Sequence, residues 1–164
     1  MANWIGFNGL VLFGVSGMKI LRVFLRRTSQ TPIDDYVRIG KPDLFRPKDI
    51  DEVHISVLFT WDKKEALRLQ KDYLQYYSKV LVGGPAFTNN NYYPRFYPGR
   101  YIKKGITITT RGCNNNCPWC LVPEIEGRFE EINIEMGNII QDNNILLANK
   151  NHLRKVFQML RDQT

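Results

Sequence analysis

The feature that most constrains this fold is a strand–helix–strand pattern between positions 53 and 86. "VHISVLF" (53–59) is β-branched and apolar, as a central buried strand must be. Asp62 then stands where a helix starts, with Glu65 three residues on in a capping-box pattern. Ala66, Leu69, Tyr73, Tyr76 and Tyr77 fall on one helical face. "KVLVGGPA" (79–86) is a second strand closed by a Gly-Gly-Pro turn. Two strands joined by a helix within about thirty residues form a βαβ unit with parallel strands. "KILRVFL" (19–25) adds a short buried strand before them, and the Pro- and Asp-rich residues 28–51 read as loop. The expected fold class is α/β, with residues 18–86 as a small Rossmann-like lobe.

The flanking segments read differently. Residues 1–17 are apolar and Gly-rich but lack the positive n-region of a secretory signal. They are expected to be an N-terminal extension with no role in the fold. Residues 87–104 hold Asn, Pro, Gly and several aromatic rings, and read as a linker whose rings tack it onto two lobes. A second lobe spans 105–164. Its "ITITT" (106–110) alternates as a strand does, "NIIQD" (138–142) reads as another strand, and Asn151 is placed to cap a final helix. In that helix Leu153, Val156, Phe157 and Leu160 repeat at helical spacing, with His152 as a surface residue at its start.

All three cysteines of the chain lie in "RGCNNNCPWC", spaced Cys113-x3-Cys117-x2-Cys120. An odd count so tightly grouped is no disulfide framework. Clustered unpaired thiols point to a reducing, cytoplasmic compartment. Asn and Pro favour turns, so the stretch is a loop able to turn its thiols toward one metal centre. Three thiolates fill three corners of an iron–sulfur cubane, whose clusters are normally held by four cysteines, and leave one iron open to a small molecule. Zinc is the alternative, and it needs a fourth ligand. The chain's two histidines, His54 and His152, stand at no zinc-finger spacing from the cysteines.

"TTRGCNNNCPWC" resembles the signature of the radical S-adenosylmethionine (radical SAM) superfamily: a strand, then Cys-x3-Cys-x2-Cys with an aromatic before the last cysteine, here Trp119. "VLVGGPA" and "FYPGRY", ahead of the barrel strand, are similar to the leading region of the family's cobalamin-type members. The resemblance implies that residues 105–164 are the first βα units of a partial (β/α) radical SAM barrel. It implies that Cys113, Cys117 and Cys120 hold a four-iron, four-sulfur (4Fe-4S) cluster. The open iron would chelate S-adenosylmethionine, which is cleaved reductively to a 5′-deoxyadenosyl radical. It further implies a protein reductant such as flavodoxin or ferredoxin. Trp119 is placed near the adenine, and Asp142, Asn143 and Asn144 at a strand end facing the cofactor.

Two departures from that pattern bound the expectation. The chain has no Asp-x-His-x-x-Gly, the usual lower-ligand motif for cobalamin, which speaks against cobalamin. Too few residues follow Cys120 for a whole barrel, so the chain reads as the front part of a longer protein, inactive by itself, or as one completed by another chain. The net charge of +7 is uneven: between positions 73 and 123 stand Lys79, Arg95, Arg100, Lys103, Lys104 and Arg111, with no acidic residue. That stretch keeps a nucleic-acid substrate open, and a solvated basic face fits it equally. The competing class is a zinc-binding, nucleic-acid-binding module without catalysis. No run approaches the ~18 apolar residues of a membrane span, so no membrane partner is expected.

Overall fold

In a computed structural model, residues 17–87, 96 and 99–163 are described. The extension at 1–17, apart from Gly17, and most of the 87–104 linker lie outside them. The elements in chain order are β1 (Ile20–Phe24), β2 (Val37–Ile39), β3 (Glu52–Ser56), α1 (Lys63–Leu74), β4 (Val80–Gly83), β5 (Gly105–Thr107), β6 (Thr110–Arg111), α2 (Val122–Glu126), β7 (Glu130–Glu131), β8 (Gly137–Ile140) and α3 (Lys150–Arg161).

The leading lobe is a four-stranded parallel sheet in the order β2-β1-β3-β4. The βαβ unit is present, with α1 joining β3 to β4. β2, an edge strand of three residues, lies inside the stretch expected to be loop. An edge strand pairs on one side only, so a short run without an apolar pattern suffices.

β3 sits in the middle of the sheet and all five of its residues are buried. Side chains alternate along a strand, so its two faces divide the labour. Val53 and Ile55 join Leu21, Val23, Ala66, Leu69 and Tyr73 in the hydrophobic core under α1. Burying each such aliphatic side chain stabilises by about 1.5–3 kcal/mol. Glu52, His54 and Ser56 alternate with them. On their side the linker's Phe96 stacks on His54, with ring centroids 5.1 Å apart, and Tyr101 meets the same imidazole edge-on. A Cβ on Gly83 would come within 2.5 Å of the Phe96 ring, so glycine is what lets Phe96 lie flat on the sheet.

Three details of the helices differ from expectation. Asp62 is the residue before α1, but its side chain caps nothing; it pairs with Arg26 at 2.6 Å, and a single 3-10 turn precedes the helix. Tyr76 is half exposed, because α1 ends before it. In α3 the cap is Asn149, whose Oδ1 accepts from His152 N at 2.8 Å, and the buried residues are His152, Val156 and Met159. Phe157 is 60% exposed. His152 is therefore buried, not a surface residue.

The second lobe is built on β5 and β8, a parallel pair. The expected single strand through 106–110 breaks in two. β5 pairs with β8, and β6 turns to pair antiparallel with β7.

Candidate functional site

The cysteine loop leaves β6 through Arg111 and Gly112, and its entry is tightly specified. Gly112 has φ +66°, and a Cβ there would lie 2.2 Å from the Arg128 carbonyl oxygen. Only glycine takes that conformation without strain at so close an approach. The far side of the loop is pinned by its return. Cys113 N donates to Gly127 O at 3.3 Å, and Phe129 N donates to Asn114 Oδ1 at 3.1 Å. Inside the loop, Cys120 N donates to Cys117 O at 3.0 Å, closing a turn around Pro118 and Trp119. α2 begins at once after it and carries Glu126, which pairs with Arg111 at 2.7 Å. The stretch from 111 to 129 is thus a closed unit mounted on one strand end.

All three thiols are free. Cys113 is half-buried at the loop's root, whereas Cys117 and Cys120 are exposed. Trp119 is 95% exposed. Among the described residues, no three His, Cys, Asp or Glu side chains converge as a ready metal site. The donor chemistry nevertheless fits an iron–sulfur cluster: three soft thiols on one loop, none tied up in a disulfide, two facing outward.

The three polar residues after β8 part company. Asp142 turns its carboxylate onto the neighbouring strand end, accepting from Thr109 N at 2.6 Å, Thr109 Oγ1 at 2.5 Å and Thr110 N at 3.1 Å. It ties the ends of β5 and β8 together and holds the kink that directs β6 toward the cysteines. Asn143 donates to Glu126 of α2. Asn144 Nδ2 lies 3.7 Å from Cys113 Sγ, a sulfur hydrogen bond that orients the root thiol. Asn144 is the member of the trio that touches the cysteine loop directly.

Glu126 was not singled out from sequence, yet it joins α2, Arg111 and Asn143. Its signal lay in the acidic run after the cysteines, directly following a basic one. Glu131 of the same run accepts from Asn149 N and Nδ2, both at 2.7 Å, anchoring the start of α3.

Comparison with known protein families, with curated proteins and with solved structures finds no match to this chain.

The histidines bear on the zinc alternative. His54 is fully buried, with Nε2 2.8 Å from Glu52 Oε2 and Nδ1 hydrogen-bonded to the Tyr101 hydroxyl. Both ring nitrogens are engaged, so neither is open to a metal. His152 is buried at the start of α3, with Nδ1 3.7 Å from Glu131. No helix of the described residues is long and apolar enough to cross a membrane.

Proposed function

We propose that the chain is a radical SAM protein, or a part of one, whose cysteine loop holds a 4Fe-4S cluster and binds S-adenosylmethionine. One observation carries the reading: three free thiols in Cys-x3-Cys-x2-Cys order, on a closed loop at the carboxyl end of the strand path β5–β6. The parallel neighbour β8 ends beside it. Strand carboxyl ends are where β/α barrels carry their sites, which supports the same reading.

In this reading Cys113, Cys117 and Cys120 are the cluster ligands. When bound, the cluster supplies the electron for reductive cleavage of S-adenosylmethionine to a 5′-deoxyadenosyl radical. The chain's own residues set the stage. Asn144 orients the Cys113 thiol, Asp142 fixes the strand ends beneath the loop, and the Arg111–Glu126 pair locks α2 against the loop's entry. Trp119, exposed next to Cys120, is available to cover the adenine. A flavodoxin- or ferredoxin-like donor would deliver the electron, in a reducing cytoplasm. The buried, engaged His54 supports neither the zinc-module reading nor a lower ligand for cobalamin.

Anaerobic reconstitution with iron and sulfide tests this. The expected result is about four irons and four sulfides per chain, with both lost in Cys117→Ala. A tightly held zinc with no iron uptake overturns the reading.

A further inference from the structure

The cleft between the two lobes is lined from both sides. Ser56 ends β3 and Leu58 follows it, while Ile108 follows β5 and Gln141 follows β8. Both parallel sheets thus aim their carboxyl ends at one cavity of about 240 Å³. In α/β folds those ends are where ligands bind. The crevice at the sheet's own switch point, between β1 and β3, is already filled. There Arg26 pairs with Asp62 at 2.6 Å and lies 5.9 Å over the Phe59 ring, leaving about 10 Å³. The room for a ligand is in the inter-lobe cavity instead.

The lining is selective. Leu58, Ile108, Phe96 and Tyr101 give apolar and aromatic walls. Among the described residues of the lining, Arg111 is the one charged side chain, and Glu126 pairs with it at 2.7 Å. A phosphate or carboxylate ligand draws its affinity from charge-assisted hydrogen bonds to a free cation, and the described residues of this lining offer none. The walls therefore suit a neutral, flat molecule. A volume of about 240 Å³ falls just below the ~300–1,000 Å³ of drug-sized sites, so that molecule is small.

The polar edge is more particular. Gln30 Nε2 donates to Gln141 Oε1, joining residues of the two lobes. Backbone bonds seat both: Lys103 N donates to Gln30 O at 2.8 Å, and Gln141 N to Thr107 O at 2.9 Å. Each amide uses one group on the other. The pair keeps one carbonyl oxygen and one NH₂ for a ligand, whichever amide donates. A donor beside an acceptor is complementary to an acceptor beside a donor, the edge pattern of a lactam or amino-imine nucleobase. The Tyr101 wall is fixed from behind. Its hydroxyl is held by His54, His54 by Glu52, and Glu52 by Lys79 at 2.5 Å. A ring so held loses little entropy when a base stacks on it.

We propose that the inter-lobe cavity binds a neutral, nucleobase-sized heterocycle, read along one edge by the Gln30–Gln141 amide pair and stacked on Tyr101. The site uses none of the cysteines and goes beyond the cluster reading. It can be tested with the full chain carrying Cys113→Ala, Cys117→Ala and Cys120→Ala, so failure of one reading leaves the other standing.

The probe is hypoxanthine, followed by titration calorimetry. Hypoxanthine is expected to bind. 1-Methylhypoxanthine, which lacks the edge N–H, is expected to bind at least about tenfold more weakly, in line with the cost of losing a bidentate contact. Gln30→Leu and Gln141→Leu are each expected to weaken hypoxanthine by a similar factor. Gln141 is exposed and Gln30 half-buried, so both variants retain the fold, checked by unchanged thermal midpoints. Absence of hypoxanthine binding at millimolar concentration overturns the proposal. So does equal affinity for the methylated base, or unchanged affinity in both glutamine variants. Displacement of hypoxanthine by S-adenosylmethionine overturns it as a separate site.

Discussion

Gly112 is the residue on which the cysteine loop turns. Its positive φ and the carbonyl of Arg128 leave no space for a side chain. Gly112→Ala combines left-handed strain with a backbone clash, a loss of about 2–3 kcal/mol. For a chain of this length that lowers the thermal midpoint by roughly 5–10 °C. Differential scanning fluorimetry checks it, and a midpoint within a degree of the parent counts against the loop geometry described above. At this scale the sequence is half legible. The spacing of Cys113, Cys117 and Cys120 reads directly, because covalent order alone places them on one loop. The roles of Asp142 and Asn144 do not. Residue type shows that a carboxylate or amide needs partners, but the donors, Thr109 and Thr110, lie over thirty positions away in sequence.

At the scale of elements, α1 carries a pH signature. Tyr73 is 1% exposed and its hydroxyl donates to Gly40 O at 3.1 Å. Burial first, and then the nearby Asp43 carboxylate, push its pKa well above the usual 10.0. Tyr77 is raised too, again chiefly by burial. The unfolded chain therefore releases these protons at lower pH than the folded chain. Their contribution to stability is complete below about pH 10 and declines as pH rises above it. Urea unfolding at pH 8 and pH 11 is expected to give a lower stability at the higher pH. Tyr73→Phe, lacking the titrating hydroxyl, is expected to flatten that decline. A slope unaltered by the substitution contradicts the assignment.

The elements that sequence patterning located are those whose pattern is local: β1, β3, α1, β4, β8 and α3. β2 escaped because three residues pairing on one edge leave no periodic trace. The run at 106–110 broke because Asp142 takes the amides of Thr109 and Thr110, which a continued β5 ladder would otherwise need. The buried stripe of α3 is rotated toward Met159 by where β8 lies, and no property of the helix alone sets that.

Across the whole molecule, a buried polar chain links the sheet to the inter-lobe cleft. It runs from Lys79 through Glu52 and His54 to Tyr101. Glu52 is 3% exposed and holds both Lys79 and His54. Glu52→Ala removes the shared acceptor and leaves the imidazole of a fully buried His54 without its Nε2 partner. Leaving that buried ring nitrogen unsatisfied costs about 1–3 kcal/mol. Equilibrium urea unfolding is expected to show a loss of that size, and a change below about 1 kcal/mol contradicts the importance given to this chain. In the sequence Glu52 and His54 are, with Ser56, the polar residues that alternate with the apolar ones of β3. Alternation along β3 turns both away from α1, and Phe96 and Tyr101 of the linker then cover His54.

The order of residues alone determined the parallel α/β lobe, the closely spaced thiols and the loop that bears them, because each is a property of near neighbours along the chain. The tertiary structure decided what those parts face. It put Asn144 on Cys113, Glu126 on Arg111 and Gln30 on Gln141. Each of these pairings depends on how strands distant in sequence come to lie side by side, and long-range packing, not local propensity, sets that.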